Sequence, residues 1–154
     1  MQKVFKNIDD VIDNYTGRSY AVLQYSQLMA QLVLDAKKPG FSADSWAPVA
    51  QLVDVPNFQR IGPFKDAMDW DNYVAFLTGW ATTSEWECSF KRITEVGNLV
   101  FLELEERSKV SGFANAVNSL SVYEFNSAGK MQHVDVYLQM EMPGMDMMQS
   151  TQNA

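Results

Sequence analysis

One cysteine and one histidine stand in the whole 154-residue sequence. A lone Cys88 closes no intrachain disulfide, and a lone His133 supplies no two-histidine metal site. There is no glycine-rich phosphate loop of the nucleotide-binding kinds. Neither a metal nor a cofactor is expected. Basic residues are scarce: 12 Lys and Arg face 19 Asp and Glu, a net charge of −7. A chain that acidic repels a phosphate backbone, which argues against nucleic acid as a partner. Apolar runs are short, the longest about the size of residues 73–77. A membrane span needs roughly 18, so no membrane partner is expected. The start, MQKVFKNIDDVID, turns acidic early and carries no apolar segment after its lysines, so no secretory signal is expected. A free thiol without a signal points to a reducing cytoplasm.

What is present reads as one globular domain, 47 % hydrophobic and 20 % charged. The domain is expected over 1–142, followed by a flexible Met-rich tail over 143–154. An alternative reading has Met145, Met147 and Met148 dock on a partner or over a pocket mouth. Residues 9–37 read as one helix, with Tyr15, Ser19, Val22, Ser26, Met29 and Val33 on a stripe that Leu23, Ala30 and Leu34 broaden. A short helix follows through Trp46, Val49, Ala50 and Val53, then an extended piece over 57–64 with Phe58 and Arg60 on one side. A third helix is expected to begin at Asp69 or Asp71, which explains Asp69-Trp70-Asp71 as capping rather than a metal loop.

Beyond Thr83 the period changes from helical to two. Strands are expected over 85–95, 99–109, 113–125 and 130–142, joined by turns at Gly97-Asn98, Ser111-Gly112 and Asn126 to Gly129. Three helices before a meander of long strands define an α+β order, with the helices packed on a long curved antiparallel sheet that makes a cone-shaped barrel with an interior. Alternation then sorts the faces. Val100, Leu102 and Leu104 face the helices, as do Ser119, Ser121, Tyr123 and Phe125, and Val134, Val136 and Leu138. His133, Asp135 and Tyr137 face outward with Glu103 and Arg107, so His133 and Asp135 lie on the opposite side from Ser121 and form no triad with it. Cys88, between Trp86 and Phe90, reads as an inert buried thiol. The expected pocket is lined by Trp46, Phe58, Arg60, Leu104, Glu106, Ser119, Ser121, Tyr123 and Val134, an apolar wall with a few polar points.

The run of elements resembles a known family. A long helix, a short helix, an extended piece ending in IGPF, the helix DWDNYVAFLTGW, and then VFLELEE, LSVYEFNSAGK and MQHVDVYLQME are similar to the nuclear transport factor 2-like superfamily, nearest its SnoaL-like polyketide cyclases and ketosteroid isomerases. The resemblance spans about residues 10–142. It implies a cone-shaped α+β barrel with a deep pocket and a homodimer formed through the outer sheet face. It also implies positions for the isomerase tyrosine, base and protonated acid, but these fall near Ala30, at Arg60 and at Ser121, and none matches. The final-strand aspartate of the related epoxide hydrolases falls on Val136.

Three functions are therefore weighed. The first is a binding protein for a small hydrophobic or polycyclic molecule. The second is a cofactor-independent isomerase, cyclase or hydrolase, with Arg60 and Glu106 meeting inside the cone, Glu106 as general base and Tyr123 or Ser121 donating to a substrate oxygen. The third is a dimeric scaffold with a filled interior.

Overall fold

The structure is a computed structural model that describes residues 5–141; the expected tail, 143–154, lies outside them. The period-two half of the chain forms the long strands its alternation predicts. These are β3 (Ser84–Val96), β4 (Leu99–Val110), β5 (Phe113–Phe125) and β6 (Met131–Gln139), each antiparallel to the next. A bulge between Phe90 and Arg92 on β3 bends and twists that edge.

Two short strands widen the sheet beyond the expected four. β1 (Gln59–Ile61) runs parallel to β6, with Arg60 opposite Val134, and β2 (Ala67–Met68) folds back against β1. The order is β2-β1-β6-β5-β4-β3. The sheet curves without closing, so the expected barrel is an open six-stranded sheet, and the expected antiparallel pattern contains one parallel pair. The physical reason lies at β6, whose far side would otherwise expose unpaired backbone groups that β1 satisfies.

The helical half differs from expectation at its start. Instead of one helix over 9–37, a short helix α1 (Ile8–Val11) runs into a 3-10 turn (Ile12–Asn14), and Tyr15 and Thr16 are extended before α2 (Gly17–Asp35). Gly17 takes φ 61°, a left-handed conformation that strains any side chain and breaks the helix here. Thr16 makes no capping bond. The carboxylate of Glu95 on β3 accepts from Ser19 N (3.0 Å) and Ser19 Oγ (2.8 Å) instead, placing negative charge at the positive end of α2. At the other end Lys37 Nζ donates to the carbonyls of Val33 (2.8 Å), Ala81 and Ser84, fastening α2 to the junction of the last helix with β3.

The stripe of Ser19, Val22, Ser26, Met29 and Val33 is buried as its spacing predicts. Leu34 is 66 % exposed. One residue past Val33 rotates by about 100° around a 3.6-residue turn, out of the packed face. A 3-10 turn (Ala43–Trp46) capped by Ser42 leads into α3 (Ala47–Ala50). α4 (Trp70–Thr83) is capped by Asp69, whose carboxylate accepts from Asn72 N at 2.9 Å. α2 lies over β3 and β4, and α4 over β1, β2 and β3. Val22, Leu23, Val49, Val100, Leu102 and Met131 are fully buried between these layers. Among the described residues no helix is long and apolar enough to cross a membrane.

Candidate functional site

The layers do not meet everywhere. Between α2, α4 and the inner sheet face lies a cavity of about 280 Å³. Its walls are apolar, with Met29, Leu77, Leu104, Val134, Val136 and Leu138. Polar groups enter from separate elements: Tyr25 from α2, Tyr73 from α4, Arg60 from β1, Glu106 from β4, and Ser121 and Tyr123 from β5. Strand alternation does this positioning, because Leu104 and Glu106, like Ser121 and Tyr123, are two residues apart on one face.

Arg60, Leu104, Glu106, Ser121, Tyr123 and Val134 share this lining. Trp46, Phe58 and Ser119 are not part of it. Trp46 is buried in the helical layer, where its Nε1 donates to Thr78 Oγ1 (3.0 Å) and its ring meets Phe41 edge-on. Phe58 is buried against aromatic neighbours, stacked on Tyr73 (5.8 Å) and edge-on to Trp70 (5.4 Å). Ser119 is buried in the sheet between its strand partners Leu104 and Leu138.

Arg60 and Glu106 line the same hollow but do not pair with each other. Arg60 Nη1 stands 3.9 Å from Asp66 Oδ2, and the guanidinium lies over the rings of Tyr73 (5.1 Å) and Phe76 (6.0 Å). Phe64 N donates to Asp66 Oδ1 at 3.3 Å. The Asp66 carboxylate lies where a Cβ on Gly62 would be, within 2.3 Å, so only glycine admits this approach. Glu106 accepts from Trp86 Nε1 at 2.9 Å, and the indole packs on Trp80. Each charge thus found a local partner, Arg60 in the turn after its own strand and Glu106 across the β3–β4 ladder.

The tyrosines form a cluster that sequence spacing does not reveal. Tyr25 and Tyr73 share a hydroxyl–hydroxyl hydrogen bond of 2.6 Å, and the Tyr25 ring meets Tyr123 edge-on at 5.7 Å. Burial raises the pKa of all three, with mutual repulsion adding to it at Tyr25 and Tyr123. The Arg60 guanidinium works the other way on each. All three hydroxyls stay protonated at neutral pH and can donate. Burial also pushes the Cys88 thiol up to about 12, which keeps it protonated and unreactive.

His133 Nε2 lies 3.0 Å from Asp135 Oδ1 on the sheet face away from the cavity, with Ser121 on the other side. Among the described residues no group of three or more His, Cys, Asp or Glu is placed to hold a metal ion.

No protein-family model matches the sequence, and no curated protein matches it. Solved structures do match. The epoxide hydrolase/cyclase-like enzyme SalBIII, from pyran ring formation in salinomycin, superposes with a TM-score of 0.63 at 14 % identity over 80 % of this chain and 91 % of its own. An NTF2-like protein of unknown function from Cytophaga hutchinsonii gives 0.56 at 15 % identity over 81 % and 92 %. A protein with a ketosteroid isomerase-like fold from Catenulispora acidiphila gives 0.52 at 10 % identity over 68 % and 83 %. The chain has the nuclear transport factor 2-like fold.

Proposed function

We propose that this protein binds a small, largely apolar molecule in the cavity between α2, α4 and the sheet. The observation that carries this reading is the hollow itself: about 280 Å³ walled largely by apolar side chains, with a few polar groups among them. That volume equals roughly nine waters at about 30 Å³ each, room for a ligand of one or two rings. A hollow of this kind also speaks against a filled scaffold. The neutral probe 2-naphthamide should bind and quench fluorescence from Trp80 and Trp86, which line the cavity. Val136→Trp, which fills the wall, should weaken it at least tenfold, a change of about 1.4 kcal/mol. Binding that survives Val136→Trp unchanged places the probe elsewhere and rejects the reading.

Acid–base catalysis in the same cavity is the second reading. It is favoured by the position of Glu106, a carboxylate inside an apolar lining with Tyr123 and Ser121 in the same wall. The SalBIII likeness supports it at the level of fold.

The outer sheet face fits a second copy of the chain. Phe101 pairs with Val122 and Leu120 with Tyr137, apolar pairs interleaved with Glu103 and Asp135 and flanked by the Arg107–Glu105 ion pair. Tyr137 is 57 % exposed in the single chain. Light scattering should give about 35 kDa, twice 17.4 kDa, and Tyr137→Lys should halve it. A native mass of one chain at high micromolar concentration rejects the dimer.

A further inference from the structure

The cavity is not evenly polar, and its asymmetry says what kind of apolar molecule it takes. Among the described residues, Arg60 and Glu106 are the only charged ones in the lining. Glu106 is engaged by the Trp86 indole at 2.9 Å. Arg60 is far less satisfied. A guanidinium has five N–H donors in a planar fork. Among the described residues this one lies over the rings of Tyr73 and Phe76, and its only carboxylate within 4.0 Å is Asp66, at 3.9 Å. That is a charge pair but longer than a hydrogen bond. The Asp66 side chain is 41 % exposed, against 15 % for Arg60, so water already screens the one charge meant to balance the other. A partly buried guanidinium that lines a cavity, with only one long charge pair, has donors to offer an acceptor.

The tyrosines add to the same end. Tyr25 and Tyr73 bring two hydroxyl protons to one shared hydrogen bond, so one proton is left to donate elsewhere. Tyr123 brings a third hydroxyl to the same cluster. Burial keeps these groups protonated, so they act as donors rather than as competing anions.

Resting on the binding function proposed above, we infer that the ligand is a carboxylic acid on a hydrophobic ring body, its carboxylate seated on the Arg60 fork and the spare tyrosine hydroxyl. A carboxylate matches the fork with two parallel hydrogen bonds, and the aliphatic wall takes the rings. Asp66 is then the internal competitor that the ligand displaces from the guanidinium. The net charge of −7 opposes an anion only at a distance. Physiological salt screens that field beyond about 8 Å, whereas Arg60 acts at contact.

The test compares 2-naphthoate with 2-naphthamide, which differ in charge and hardly in shape, by calorimetry at neutral pH. The native protein should bind the acid roughly 10- to 100-fold more tightly than the amide, the range for hydrogen bonds to charged groups. In Arg60→Met the acid should lose its 10- to 100-fold advantage, so that the acid-to-amide affinity ratio falls to about one or below. In Asp66→Asn the acid should gain a few-fold and the amide should not move. An acid that binds no better than the amide overturns the inference and leaves the cavity as a neutral-ligand site. So does a preference that survives Arg60→Met. If neither compound binds, the binding reading fails and takes this inference with it. Should Arg60→Met fail to fold, Asp66→Asn decides: an unchanged acid affinity there overturns the inference.

Discussion

Above pH 10 the protein should lose stability steeply. The three cavity tyrosines ionise from 10.0 in an unfolded chain, and burial raises all three in the fold. Over the interval between those values the folded protein holds protons that the unfolded chain has released. Stability therefore falls as pH rises, by about 1.4 kcal/mol per pH unit for each such group. The three act in the same direction, against a total stability of about 5–15 kcal/mol for a domain. Cys88, raised from 9.0 to about 12, adds to the slope over that window. Urea unfolding from neutral pH to pH 12 measures the sum. Tyr123→Phe and Cys88→Ala should each remove about 1.4 kcal/mol per unit of the slope in their own windows. A native stability that stays level to pH 12 would mean that these hydroxyls reach water.

Trp46→Ala should cost about 3–5 kcal/mol, the range for deleting a buried tryptophan. Trp46 is 1 % exposed, its indole N–H donates to Thr78, and its ring packs edge-on against Phe41. In a chain of this length each kcal/mol moves the Tm by about 2–4 °C, so a fall of roughly 6–20 °C is expected by calorimetry. Trp46→Phe keeps most of the ring but leaves Thr78 Oγ1 without its donor, and should cost only about 1–2 kcal/mol from that bond. Both variants should bind 2-naphthamide within about twofold of the native protein while folded, because Trp46 stands outside the cavity. A Tm change below about 2 °C for Trp46→Ala, with lost probe binding, would return Trp46 to the pocket rim that its sequence position suggests.

These two cases show what local pattern reveals and what it does not. Strand faces were legible because the period is two: Leu104, Glu106 and Val134 follow the apolar face of their strands, whereas on β5, where both faces carry apolar residues, the bulk of Tyr123 and Phe125 points out the inner one that also holds Ser121. Arg60 was legible as part of an extended piece after Phe58. Its pairing with β6 was not, since a three-residue strand carries too little periodicity to name a partner. The break at Gly17 was hidden inside a run with helical spacing on both sides, and only its positive φ exposes it. Trp46 sits in a short turn-helix segment whose burial depends on α4, far along the chain.

The missed half of the site is tertiary in origin. Tyr73 reads as one more apolar position on α4, and Tyr25 sits beside the stripe of α2. Nothing in either helix announces a hydrogen bond between residues 48 apart. Asp66 lies in a turn that reads only as a strand end, yet Gly62 lets its carboxylate close on the backbone and reach Arg60. The expected Arg60–Glu106 contact failed for the same reason. Each side chain had a nearer partner, one supplied by a turn and one by the neighbouring strand.

Everything proposed for the site needs α2, α4 and the inner sheet face to leave a hollow able to hold a small molecule. A crystal structure grown with 2-naphthamide tests it most directly. Ring density is expected against Leu104, Val134 and Leu138, with the amide turned toward Arg60 and the tyrosines. Density only on the outer face, or side chains of those residues filling the space, would contradict it.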